Sequence, residues 1–218
     1  VCTVSGRTVT MLAAGTCSIT ASQAGDGNYN PATDVTQSFG VGTADQTIDF
    51  TQPGDVTFGV SSVALTADAS SGLDVSFASN STSVCTVSGT TATIVAAGTC
   101  SITANQSGND NYNAAAPVTR TLTVGLSSQP ITFTLPSQYS LEGGTMPLTA
   151  TATSGLTVAF TSQTPSSCTV SGETAQLIAA GTCTITAAQS GNGNYTAAPE
   201  VTASTNLQPL PPPLVDVC

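Results

Sequence analysis

The residues of this chain most able to form new bonds are its seven cysteines: Cys2, Cys17, Cys85, Cys100, Cys168, Cys183 and Cys218. The first six fall into couples of one spacing. Cys17 follows Cys2 by 15 residues, and Cys100 follows Cys85 and Cys183 follows Cys168 by the same step. Three chemistries suit paired thiols. A structural zinc site takes four ligands, commonly in short C-x-x-C steps or with histidine. A redox-active pair also favours C-x-x-C. The chain has no such step and no His. The remaining chemistry is a structural disulfide, formed where two strands bring the β-carbons to about 4 Å. Each such loop stabilises a fold by about 3 kcal/mol in the chain-entropy model. Disulfides imply an oxidising compartment, and so an extracellular or cell-surface location.

Other chemistry finds little to work with. Without His there is no Ser-His-Asp relay. Without Lys there is no Ser-Lys dyad, Schiff base or Lys–Asn crosslink. The only glutamates are Glu142, Glu173 and Glu200, at unmatched places that read as solvated surface charges. The chain is therefore not expected to be an enzyme. Its 12 acids face 2 bases, Arg7 and Arg120, for a net charge of −10. That balance repels phosphate backbones and anionic membrane surfaces, so no nucleic-acid partner is expected. No run of about 18 apolar residues is present, and no membrane insertion is expected.

The elements that position the cysteines are repeats. Cys85 lies 83 residues after Cys2, and Cys168 lies 83 after Cys85. The text around them recurs as VCTVSGRTVTMLAAGTCSIT, VCTVSGTTATIVAAGTCSIT and SCTVSGETAQLIAAGTCTIT. Fixed-period similarity marks repeated units. Residues 43–125 form one copy and 126–208 another. Residues 1–42 match only the second half of a copy, and 209–218 (PLPPPLVDVC) form a Pro-rich tail.

Within a copy the hydrophobic period is two. Ile48 and Phe50 alternate with polar residues, as do Leu65, Ala67 and Ala69, then Leu73, Val75 and Phe77. Cys85 and Val87 share a face, as do Cys100, Ile102 and Ala104. Val118, Leu122 and Val124 close the unit. Such alternation marks half-buried strands. Gly, Ser, Asn and Asp clusters separate them, with a turn expected at Ser88-Gly89. The Ala-rich stretches Val95–Ala97 and Ile178–Ala180 are too short for helices and end at Gly. About seven short strands per copy predict an all-β fold of tandem antiparallel sandwiches, the first copy incomplete.

V-C-T-V-S-G followed by A-A-G-T-C-[ST]-I-T-A resembles the bacterial immunoglobulin-like domains of the group 2 type. Those carry a similar V-A-T-V…A-A-G-T-A-T-I-T-A pattern, with Ala where this chain has Cys. The copies continue into QAGDGNYNPA, QSGNDNYNAA and QSGNGNYTAA, which is similar to the cysteine-bearing repeat of large bacterial surface and secreted proteins. The resemblance covers residues 1–208. It implies immunoglobulin-like sandwiches and a modular role in stalks, adhesins or fibres.

Tyr29, Tyr112 and Tyr195 sit in the G-[DN]-x-N-Y loops and carry two readings. In one, Asp26, Asn28, Asn109 and Asp110 offer oxygens to calcium; the third copy has only Asn192 and Asn194 there. In the other, each tyrosine is a structural tether whose hydroxyl bonds backbone near a strand start. No other cofactor is expected. Asn80-Ser81-Thr82, Asn105-Gln106-Ser107 and Asn194-Tyr195-Thr196 fit the glycosylation pattern but receive no role.

The ends raise two readings. Residues 1–42 are either part of a longer array or a half-sandwich that accepts strands from another copy. In the second reading Leu214, Val215 and Val217 form a short alternating strand after a stiff arm, and Cys218 bridges to another chain. Contacts of that kind run head to tail and build filaments. The expected function is a structural segment of a bacterial surface filament or fibre. The alternatives are a spacer stalk of an adhesin or secreted protein, whose contacts are to neighbouring domains of one chain, and a carbohydrate-binding module.

Overall fold

The computed structural model describes residues 1–209, so Leu214, Val215, Val217 and Cys218 lie outside the described residues. Every regular element among those described is a strand, and none is a helix that could cross a membrane. Residues 1–42 hold β1 (Cys2–Ser5), β2 (Thr8–Met11), β3 (Gly15–Ala21) and β4 (Val35–Val41). The next repeat holds β5 (Ile48–Phe50), β6 (Val56–Thr57), β7 (Ser62–Ala64), β8 (Ala67–Ala69), β9 (Ser76–Ser79), β10 (Cys85–Ser88), β11 (Thr91–Ile94), β12 (Gly98–Asn105) and β13 (Val118–Gly125). The last holds β14 (Ile131–Phe133), β15 (Gln138–Ser140), β16 (Thr145–Pro147), β17 (Ala150–Ala152), β18 (Ala159–Ser162), β19 (Cys168–Ser171), β20 (Thr174–Leu177), β21 (Gly181–Ala188) and β22 (Val201–Gln208). Each full repeat thus has a leading half before its first cysteine and a trailing half from that cysteine onward.

The chain divides into two compact units. One comprises Val1–Asp55 with Val60–Thr123; the other comprises Val124 onward with the short segment Val56–Gly59.

In the first unit β10-β11-β7 form one sheet, β13, β12 and β9 lie in another, and β5 pairs with β8. The core is Phe50, Leu65, Ala92, Ile102, Ala104 and Leu122, with the Phe50 and Phe77 rings 5.2 Å apart. β12 exemplifies the logic: Cys100, Ile102 and Ala104 are buried while Thr99 and Ser101 are not. In residues 1–42 the strands form only the two hairpins β1-β2 and β3-β4.

In the second unit β16-β20-β19 face β15-β22-β21-β18, and β14 pairs with β17. Phe133, Met146, Leu148, Ala175, Ile185, Ala187 and Leu207 fill the space between. The fold is the all-β, immunoglobulin-like sandwich array expected from the pattern.

Two details differ from the sequence reading. The hairpin turn is Gly89-Thr90, one residue later than Ser88-Gly89, because Ser88 pairs with Thr91. A two-residue turn of this hand wants positive φ at its first central position, and Gly89 takes it at +56°. The sheets are also not purely antiparallel. β15 runs parallel to β22, and Val56 and Thr57 run parallel to Val124 and Gly125. Pro136, between β14 and β15, has no N–H to donate to a ladder, so no strand runs through it and the chain crosses there to the other sheet. Pro53 holds the same place in the middle repeat.

Candidate functional site: the repeat junction

The cysteines are placed first. Cys2–Cys17, Cys85–Cys100 and Cys168–Cys183 are disulfides, with Cα–Cα separations of 5.6, 5.6 and 5.7 Å. Each joins strands of different sheets within one repeat: β1 to β3, β10 to β12, β19 to β21. Cys17, Cys85, Cys100, Cys168 and Cys183 are fully buried and Cys2 is half-buried, and all six are held in crosslinks. The three glutamates are exposed. Among the described residues no group of three or more His, Cys, Asp or Glu could hold a metal.

The G-[DN]-x-N-Y loops contain the polar detail. In the middle repeat the Asn109 side-chain oxygen accepts the backbone N–H groups of Asn111 (2.9 Å) and Tyr112 (3.0 Å), and Asn109 N–H donates to the Tyr112 carbonyl at 3.0 Å. Asp26 does the same for Asn28 and Tyr29, and Asn192 for Asn194 and Tyr195. An amide serves in two copies where a carboxylate serves in the third. One side-chain oxygen thus closes the loop in every copy, Oδ1 of Asp26, Asn109 or Asn192. Gly108 has φ +76° and no room for a Cβ, which would sit 2.3 Å from the Tyr112 carbonyl oxygen.

Beneath each complete loop lies a buried amide cluster. The Gln46 side-chain N–H donates to the Gln106 side-chain oxygen and to the Asn113 carbonyl (2.7 Å); Ser71 donates to Gln46. Gln106 in turn accepts Gly108 N–H at 2.5 Å. The second unit repeats this set with Gln129, Gln189, Ser154, Thr196 and Gly191. A buried, mutually satisfied network of this type fixes one geometry. It connects the start of the first strand to the loop.

The loop then grips the linker. Ala44 N–H donates to the Asn111 carbonyl, and Asn113 N–H to the Ala44 carbonyl, both at 2.8 Å. Thr43 Oγ1 donates to Asn113 Oδ1 at 2.6 Å, and Asn113 Nδ2 to Asp45 Oδ1 at 2.7 Å. The Asn111 side-chain oxygen reaches back into the preceding repeat, where it accepts Ala14 N–H at 2.9 Å. In the second unit Ser127 N–H donates to the Asn194 carbonyl and Thr196 N–H to the Ser127 carbonyl. There the Tyr195 ring meets Phe58 edge-on at 5.5 Å.

The tether seen at these loops is made by backbone and by neighbouring asparagines. Tyr112 and Tyr195 are half-buried, whereas Tyr29 is 75% exposed. The sequence reading missed Gln46, Ser71, Gln106, Asn111 and Asn113. Their signal was recurrence: Gln46/Gln129 and Ser71/Ser154 repeat at the same 83-residue step as the cysteines.

No family model matches this sequence, and no curated protein matches it. Solved structures do. Domains 1-6 of the surface layer protein SbsC are 16% identical, over 94% of this chain and 36% of that one, with a TM-score of 0.31. The C-terminal 282-residue fragment of intimin, solved with the intimin-binding domain of its translocated receptor, is 19% identical over 73% of this chain and 64% of its own, TM-score 0.27. Human mucin-like protocadherin EC1-2 is 8% identical over 75% and 98%, TM-score 0.30. This chain therefore spans less than two thirds of the length of the first two.

Proposed function

We propose that this chain is a structural segment of an extracellular surface protein, a spacer whose repeats are coupled through pinned linkers. The observation that carries this reading is the linker itself. Thr43, Ala44, Asp45 and Gln46, four consecutive residues at the start of the middle repeat, are each hydrogen-bonded to that repeat's loop or amide cluster, and Asn111 of the same loop holds Ala14 of the preceding repeat. A flexible tether would leave such groups to water. The disulfides suit an oxidising exterior. The near absence of Lys and Arg removes sites for trypsin-like proteases.

The test is relaxation NMR on the whole chain, comparing residues 1–42 with residues 60–123. The spacer reading expects one common correlation time, and expects Asn111→Ala to separate the two while the middle repeat stays folded. Independent tumbling in the unaltered chain would sink it.

A second reading is a subunit of a surface filament, since head-to-tail contacts between repeated units that do not close extend into fibres. Uniform long fibres in negative-stain images of the purified chain would support it; short beaded rods favour the spacer.

A further inference from the structure

We infer that the groove between β8 and β9 of the middle repeat is a docking site for an extended peptide that carries lysine or arginine at alternate positions. This goes beyond the spacer role and does not depend on it.

The groove lies at an open seam of the sandwich. β8 has β5 on one side only, and β9 is the last strand of its sheet. Thr51 N–H donates to the Thr66 carbonyl and Ser70 N–H to the Thr47 carbonyl. Alternate residues of β8 therefore bond to β5, and Ala67 turns its backbone N–H and carbonyl to the free edge. On β9, Asn80 N–H donates to the Ser101 carbonyl, and by the same alternation the backbone of Phe77 faces the seam. Between the two edges is a groove of about 420 Å³ with an apolar floor of Leu65, Leu73, Val75 and Phe77. Leu65 is buried and the other three are half-buried. Free edges beside an apolar floor take up extended chain: its backbone pairs with the edge, and every second side chain enters the groove.

Charge selects the occupant. Asp68 on β8 and Asp74 just before β9 line the groove, and both are exposed. Asp49 stands directly opposite Asp68 in the β5-β8 ladder. Like charges in directly opposed positions destabilise a sheet. The fold does not need them. The last repeat lines the same groove with Leu148, Leu156, Val158 and Phe160, and has Thr132, Thr151 and Thr157 at the three matching positions. One acid, Glu173, lines that groove in place of Thr90. A local cost that one copy bears and its twin avoids is the pattern expected where a site serves binding. The three aspartates form no group able to hold a metal. The chain supplies little counter-charge: its two bases are Arg7, in the β1-β2 turn, and Arg120, which donates to the Phe50 carbonyl at 3.2 Å. Cationic side chains at the outward positions of a docked peptide match Asp68 and Asp74, and small apolar ones at the inward positions match the floor.

The experiment titrates the full 218-residue chain with an end-blocked synthetic hexapeptide of alternating Lys and Val, followed by amide NMR. The expected result is saturable binding that shifts the amide signals of Ala67 and Phe77 and leaves those of Ala150 and Phe160 in place. The paired change Asp68→Thr with Asp74→Thr should weaken binding by at least about tenfold. It should leave the fold intact, because the last repeat folds with threonine at both places. Salt at about 1 M, where the screening length falls to about 3 Å, should weaken binding as well. Any of four results would overturn the inference. The first is no saturable binding. The second is equal shifts at the two grooves, which would make the aspartates irrelevant. The third is binding indifferent to the paired variant. The last is equal affinity for a peptide of the same composition with its Lys and Val in separate blocks, which would reveal diffuse attraction to an acidic chain.

Discussion

The side-chain oxygen of Asn111 lies 2.9 Å from the backbone nitrogen of Ala14, 97 residues earlier in the chain. The same residue's carbonyl accepts Ala44 N–H at 2.8 Å. One asparagine therefore contacts the preceding repeat with its side chain and the linker with its backbone. It is held by a relay that begins in the core: Gln46 to Gln106, Gln106 to Gly108, and Asn109 to the Asn111 N–H. Changes to that relay should be felt at the junction.

Gly108→Ala is the sharpest probe of the loop. Its φ of +76° is costly for any residue with a side chain, and the added carbon would meet the Tyr112 carbonyl oxygen at 2.3 Å. The middle repeat should lose about 2 kcal/mol or more. Gly89→Ala is the control: its φ is +56° but nothing lies within 4 Å, so about 1 kcal/mol is expected. Urea denaturation of the two variants measures the difference; equal losses would contradict the close-approach argument.

Gln129→Ala removes the centre of the buried amide cluster in the second unit. It leaves the Gln189 oxygen, the Thr196 carbonyl and the Ser154 hydroxyl with fewer partners. Stranded buried polar groups cost about 1–3 kcal/mol each, so a loss of about 3 kcal/mol is expected. Ser154→Ala should cost less, about 1 kcal/mol, because it removes one donor to Gln129 and one acceptor of the partly buried Leu156 N–H, and leaves the rest of the cluster paired. Thermal unfolding ranks the pair, and the opposite ranking would reject a network centred on Gln129.

Thr205→Val should raise stability. Thr205 is 1% exposed, and its hydroxyl has no hydrogen-bond partner. The middle repeat has Leu122 at this position, so an apolar group suits the site. Replacing the hydroxyl by a methyl group of similar size removes a desolvation cost of about 1 kcal/mol. A lower midpoint for the variant in chemical denaturation would show that the hydroxyl is satisfied in solution.

Replacing Cys85 and Cys100 together by Ala should cost the middle repeat about 3 kcal/mol, the loop-closure entropy of a 15-residue crosslink. Thiol reductant should destabilise the unaltered chain and leave that repeat of the double variant indifferent. Guanidinium titrations with and without reductant make the comparison.

The strands, the disulfide partners and the leading–trailing division of each repeat were written in the sequence. Alternation of Cys100, Ile102 and Ala104 with Thr and Ser dictates a strand with one buried face, and an exact repeat forces the same solution on each copy. Those signals are local or periodic, so one dimension carries them. The parallel β15-β22 edge, the grip of Asn111 on Ala14 and the burial of Gln46 against Gln106 were not legible. Each joins residues 60 or more apart, and glutamines or asparagines in a polar, Ser- and Thr-rich chain look like ordinary surface until packing removes their water. The sequence by itself determined which faces turn inward. Only the tertiary structure decided which polar groups, once desolvated, had to find one another, because a buried amide is tolerated only where a partner from a distant strand meets it.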